Sequence, residues 1–175
     1  MKKVLSFIFF IVLLTGQTVH AENIKIGVVD LLKALNESDS GKKAKTDLEF
    51  LIKLKQSSLE EKSKAAEKLK ADLDKQSSVL SSEARKSKEE ELDRLVRELQ
   101  RLASDSQTEV KKKENDYTIE IIKELRVVIE KVGNEEGYTM IIENADGIIL
   151  FSKKEIDLTD VILKKYNASK AKDKK

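Results

Sequence analysis

Cysteine, proline and tryptophan are absent from this 175-residue chain, aromatic residues make up 5% of it, and the only histidine is His20. Without thiols there is neither a disulfide framework nor a cysteine nucleophile. His20 lies in a segment that reads as a removable leader, so zinc sites of the His/Cys type and His-based triads drop out as well. The shortage of aromatics argues against the large core of a compact enzyme. An excess of either charge is missing too. Lys and Arg number 34 and Asp and Glu 32, and removal of Lys2 and Lys3 with the leader leaves 32 of each and a net charge of zero. A nucleic-acid partner thereby loses its main compositional support.

The leader is MKKVLSFIFFIVLLTGQTVHA. It has two lysines at its start, an apolar stretch over residues 4–14, and Val19 and Ala21 at the third and first positions before a cut,. The stretch is shorter than the roughly 20 residues a spanning helix needs, and polar Thr15, Gln17, Thr18 and Glu22 follow it,. Cleavage after Ala21 and export of a soluble mature chain are expected, with no cysteine for lipid attachment. An uncleaved anchor is the competing reading.

Glycine is scarce where it matters: none of the six falls within residues 42–132, a stretch rich in Lys, Glu, Leu, Ala and Gln. That is a long-helix composition. A column at spacing seven runs Ile52, Leu59, Ala66, Leu73, Leu80, with a half-polar companion Leu48, Lys55, Lys62, Leu69, Gln76. Farther on, Leu92, Leu99, Ser106 and Lys113 pair with Val96, Ala103, Val110 and Tyr117 in the same heptad geometry,. Five serines in residues 77–88 mark the weakest helix in between, so the sequence predicts a helical hairpin arm over 42–117 with its tip near 77–88,. Acid-before-base pairs such as Glu49/Lys53, Glu60/Lys64, Glu90/Arg94, Asp93/Arg97 and Glu109/Lys113 add about 0.2 to 0.5 kcal/mol each to such wet helices,. Charge runs such as Lys111 to Lys113 read as solvated helix faces.

The flanks differ. Ile24, Ile26 and Val28 alternate as in a strand, and Asp30 is placed to cap a short helix over residues 31–35,. Residues 119–132 are apolar on a helical period, and Gly133, Asn134 and Gly137 break it,. Residues 138–143 and 148–151 are two β-rich runs joined by NADG, a hairpin signal,. A closing amphipathic helix is expected over 158–166, capped by Asp157 or Thr159, and residues 168–175 read as a disordered tail. Asn167 to Ser169 fits the glycosylation triplet but is short enough to arise by chance,. The fold class is therefore α+β: a small sheet body built from both chain ends, residues 22–41 and 118–167, with the arm inserted between them. A body of that size is marginal alone, so oligomerisation through the sheet is expected. Ile26, Val28, Ile141 and Ile149 are the candidate contacts.

Two blocks carry a family resemblance. IKIGVVDLLKALNESDSGKKAKTDLE, residues 24–49, is similar to an opening strand ending in V-D, a short helix and a G-K-K-A step into an arm. IEKVGNEEGYTMIIENADGIILF with IDLTDVILKKY, within residues 129–166, is similar to an E-E-G-Y strand, a hairpin and a D-I-T-D closing helix. The sequence resembles the Skp/OmpH family of periplasmic chaperones. That resemblance implies a homotrimer with a central barrel-like body, three arms projecting as tentacles around a cavity, and unfolded outer-membrane β-barrel proteins held there without ATP. It also implies lipopolysaccharide as a partner, for which Arg85, Lys86 and Lys88 near the tip are the nearest basic residues. Well-studied members are strongly basic, and the zero net charge here departs from them.

Half-apolar seams on long arms would leave scattered side chains open to an extended client, and many weak contacts would hold it by avidity. The candidates are Leu48, Ile52, Leu59, Leu69, Leu73, Leu92, Val96 and Leu99. Composition fits a structural or adaptor coiled coil of the cell envelope equally. No catalytic residue, metal ligand or cofactor is expected: the chain has no Gly-rich phosphate loop, and Asp157/Asp160 read as a cap and a first-turn acid.

Overall fold

The computed structural model describes residues 24–76, 78–145 and 148–172. The leader and its cleavage site at Ala21 lie outside the described residues. In chain order the elements are β1 (Ile26–Val29), α1 (Leu31–Glu37), α2 (Asp39–Gln76), α3 (Ser82–Glu136), β2 (Met140–Glu143), a 3-10 turn (Lys154–Ile156) and α4 (Thr159–Lys172). At 1.5 Å per residue α2 is about 57 Å long and α3 about 80 Å. They form the hairpin arm, and the root of α3 continues without a break into the body.

Local chemistry explains each boundary. Asp30 Oδ1 accepts the Lys33 N–H at 2.7 Å and starts α1. Ser38, fully buried, serves two helices: its hydroxyl donates to Leu35 O at the end of α1 and accepts the Gly41 N–H in the first turn of α2. A Cβ on Gly41 would lie 1.8 Å from Leu35 O, so only glycine permits this tight step between helices,. Ser81 Oγ accepts the Ala84 N–H and caps α3, which ends on Gly137 at φ 70 with its N–H on Gly133 O,.

Three expectations are corrected here. The turn is shorter than residues 77–88: α3 begins at Ser82, because the Ser81 cap and the exposed pairs Arg85–Glu89 and Lys86–Glu90 make the serine-rich stretch helical,. The expected hairpin is absent: residues 148–151 form no strand, and β2 instead pairs in parallel with β1, Ile26 opposite Met140 through Val29 opposite Glu143. The closing helix also runs well past Tyr166, so residues 168–172 are helical, not a disordered tail. The physical reason is the anchor at Glu124, which accepts the Tyr166 hydroxyl at 2.6 Å and Lys170 Nζ at 2.7 Å. Asn167, from the sequence triplet, is engaged structurally: its Oδ1 accepts the Asp39 N–H.

The core sits where the ends meet. Val29, Leu31, Ala34, Ala44, Ile121, Leu125, Val132, Leu158, Ile162 and Tyr166 pack together, so all four helices and β1 contribute. Polar ties fix the sheet from both sides. Lys25 donates its N–H to Thr139 Oγ1 and its Nζ to Glu136 O, and its Nζ lies 3.9 Å from the centre of the Tyr138 ring,. Leu158 N–H donates to Val28 O, and Asp30 N–H donates to Thr159 Oγ1. Asp157 Oδ1 accepts both the N–H and the hydroxyl of Thr159.

Candidate functional site

The arm seam is closed unevenly along its length. On α2 the buried positions are Gly41 and Ala44 at the root and Ala66 and Leu73 toward the tip. On α3 only Ser106 is buried between the tip and Ile121. Between these regions the helices are joined by ions: Lys55 Nζ to Glu109 at 2.6 Å and Lys62 Nζ to Glu98 at 3.5 Å. The polar companion positions of the heptad reading are therefore occupied by cross-helix pairs. Glu109 reaches Lys55, Glu90 lies beside Lys86, and Arg94 holds Glu98, while Glu60–Lys64 forms as the spacing predicts.

The second column of the reading is one residue out toward the tip of α3, at Val96 and Ala103, and returns to half-buried positions at Val110 and Tyr117. Leu95 and Leu102 turn inward and are half-buried, while Val96 is 40% exposed and Ala103 lies outside. Of the candidate binding residues, Leu73 is buried in the arm's own seam and offers no surface. Leu48, Leu59, Leu69, Leu92 and Leu99 are half-buried, and Ile52 is 39% exposed. Leu59 and Leu99 come together, with Ala103, around an open cavity of about 660 Å³ in the middle of the arm.

The densest apolar surface of the arm is at its root, and the seam columns miss most of it. Phe50 is 69% exposed and Leu54 54%. They sit four residues apart on one face of α2, and with Leu48, Leu51 and Tyr117 they line a groove of about 470 Å³,. On the other side of α2, a second groove of about 530 Å³ is lined by Leu32, Leu35, Leu48, Ile52, Ile121 and Ile122 among others. Phe50 and Leu54 had a signal in the sequence: two large apolar residues at helical spacing on a face with no seam behind it. The side chains gathered here are mostly aliphatic and aromatic, with Asp47 and Lys113 at the first groove, and they suit the burial of another chain's apolar groups,.

The oligomerisation candidates divide similarly. Val28 is buried within its own chain and Ile26 is exposed, while Ile141 and Ile149 are half-buried. Beyond β2, Ile148, Leu150 and Phe151 are exposed, the last two at 92% and 82%. At the tip, Arg85 and Lys86 each face an acid one turn on, which reduces the free positive charge beside Lys88. Among the described residues, no helix is long and apolar enough to cross a membrane.

No curated protein sequence matches the chain significantly. A solved structure from Caulobacter crescentus CB15, described as a candidate outer membrane chaperone (OmpH-like), has the same fold: TM-score 0.78 at 18% identity, covering 89% of this chain and 92% of that one. The profile of the family described as "Outer membrane protein (OmpH-like)" matches residues 25–166, and so the arm and the body built from both ends are matched as one unit. The chain belongs to the OmpH-like family.

Proposed function

We propose that this protein is an ATP-independent holdase of the periplasm, which binds unfolded outer-membrane β-barrel proteins between helical arms and keeps them from aggregating. The observation that carries the reading is the apolar collar at the arm root: exposed Phe50, Ile52 and Leu54 beside two grooves, on an arm otherwise covered in charge. A surface of that kind is open to an extended chain yet soluble when empty. Family membership and the shared fold of the Caulobacter structure support it. The same reading includes removal of the leader after Ala21 and a homotrimer that pools three small sheets into a barrel-like body. It includes lipopolysaccharide contact through Arg85, Lys86 and Lys88, which the neighbouring acids weaken.

The mature chain should suppress aggregation of a barrel protein diluted from urea at a near-stoichiometric ratio. Removing residues 60–105 as a block should leave a folded body with a stub of arm and reduced protection. Unaltered light scattering from the barrel in the presence of the full mature chain would refute the holdase reading.

A further inference from the structure

We propose that the groove beside Phe50 and Leu54 selects client segments in which a large apolar side chain has a carboxylate next to it, the carboxylate being read by Lys113. The inference rests on the holdase reading and adds the chemistry of the preferred segment. Three observations converge on it. Exposed large apolar residues on α2 cluster over Phe50, Ile52 and Leu54, so a client gains most burial there,. The groove between Phe50, Leu51, Leu54 and Tyr117 is about 470 Å³, enough for one aromatic or branched side chain with part of its backbone. Its two charged residues are not equivalent. Asp47 is held by Lys43 at 3.1 Å, whereas Lys113 forms no ion pair among the described residues.

An occupant that covers the groove also displaces water from around Lys113, which favours a carboxylate and penalises a second cation at that lip. The mid-arm cavity around Leu59 and Leu99 lacks this combination: its charged lining residue is Glu60. Without Lys2 and Lys3 of the leader the chain holds 32 basic and 32 acidic residues, so a preference for acidic segments must come from local placement of this kind.

The test uses the mature chain and three labelled peptides of equal length: a phenylalanine flanked by aspartates, the same flanked by lysines, and the aspartate version with serine replacing phenylalanine. Binding is followed by fluorescence anisotropy. The aspartate-flanked phenylalanine peptide should bind about threefold tighter than the lysine-flanked one, the scale of one partly exposed ion pair. Added salt and Lys113→Gln should each erase that difference. Phe50→Ser with Leu54→Ser should weaken both phenylalanine peptides about tenfold, the loss of two apolar contacts, while Val79→Ser at the tip changes nothing. Both altered side chains are exposed, and unchanged far-ultraviolet circular dichroism would confirm an intact arm. Equal affinity for all three peptides, no measurable binding, or persistence of the preference in Lys113→Gln would overturn the proposal. Barrel aggregation measured in parallel separates the two readings: protection without peptide discrimination sinks this inference alone, and loss of protection by the unaltered chain sinks the holdase reading.

Discussion

Gly41 and Glu124 show how single residues hold the two ends of this chain in place. Gly41→Ala would drive a methyl group into the Leu35 carbonyl, a backbone atom with little freedom to retreat. The expected cost is about 3 kcal/mol despite alanine's better helix propensity, read as a lowered urea midpoint. Glu124 is the charged anchor of α4. Burial opposes its ionisation, but hydrogen bonds from Lys170 and Tyr166 outweigh that and hold its pKa below the ordinary carboxylate value. A depressed carboxylate stabilises the fold above its unfolded pKa, near 4.3, and the contribution is lost as pH falls through the lower folded value. Asp157 acts in the same direction: burial opposes its ionisation, and the bonds from Thr159 overcome it. On the acid side, docking of α4 should therefore weaken below about pH 4. Glu124→Gln should flatten that acid limb in a plot of stability against pH; an unchanged limb would show that the anchor is not the titrating group. Asp30 as a cap was legible in the sequence because its partner lies three residues away. Ser38 and Gly41 were not, since what constrains them is the approach of two helices.

At the scale of the element, the long helices were legible from composition, and their facing was only half so. The spacing-seven column on α2 ends in buried Ala66 and Leu73, but on α3 the inner face runs through Leu95 and Leu102, one residue from Val96 and Ala103. A long helix drifts against a strict heptad, so a column chosen at one end turns off the seam farther along. The positions that looked like flaws, Lys55 and Lys62, make ion pairs across the arm. Between those rungs lies Ser106, whose buried hydroxyl has no hydrogen-bond partner. Replacing it with alanine removes an unsatisfied group and improves helix propensity, so Ser106→Ala should stabilise the arm by about 1 kcal/mol in chemical denaturation. With ions and an open cavity in place of packed leucines, amides of residues 55–63 and 98–109 should exchange hydrogen faster than those flanking them, and faster still in high salt,. Uniform protection along the arm would contradict this. The missing hairpin has a plain cause as well: β2 finds its partner in β1 from the other end of the chain, and the NADG signal is local.

For the whole molecule, the small body leaves a conspicuous apolar margin. Leu150 and Phe151 are almost wholly exposed, and β2 has β1 on one edge and no strand on the other among the described residues. If the proposed trimer forms through this margin, Leu150→Asp with Phe151→Asp should yield a monomer of unchanged helix content by light scattering and circular dichroism. An intact trimer would move the interface elsewhere. The parallel pairing of β1 with β2 has a kinetic consequence. Their backbones bridge a sequence separation of 114 at Lys25 and Thr139, a loop that a flexible chain would close slowly,. The arm changes the route. Its two helices meet at a short turn and bring Asp39 beside Glu120 and Glu124, while α3 carries the chain on to β2, so once the arm has formed the strands have far fewer than 114 residues left to close,. The tentacle should thus also guide assembly of the body, and loosening its turn, far from the sheet, should slow formation of the sheet in refolding followed by stopped flow.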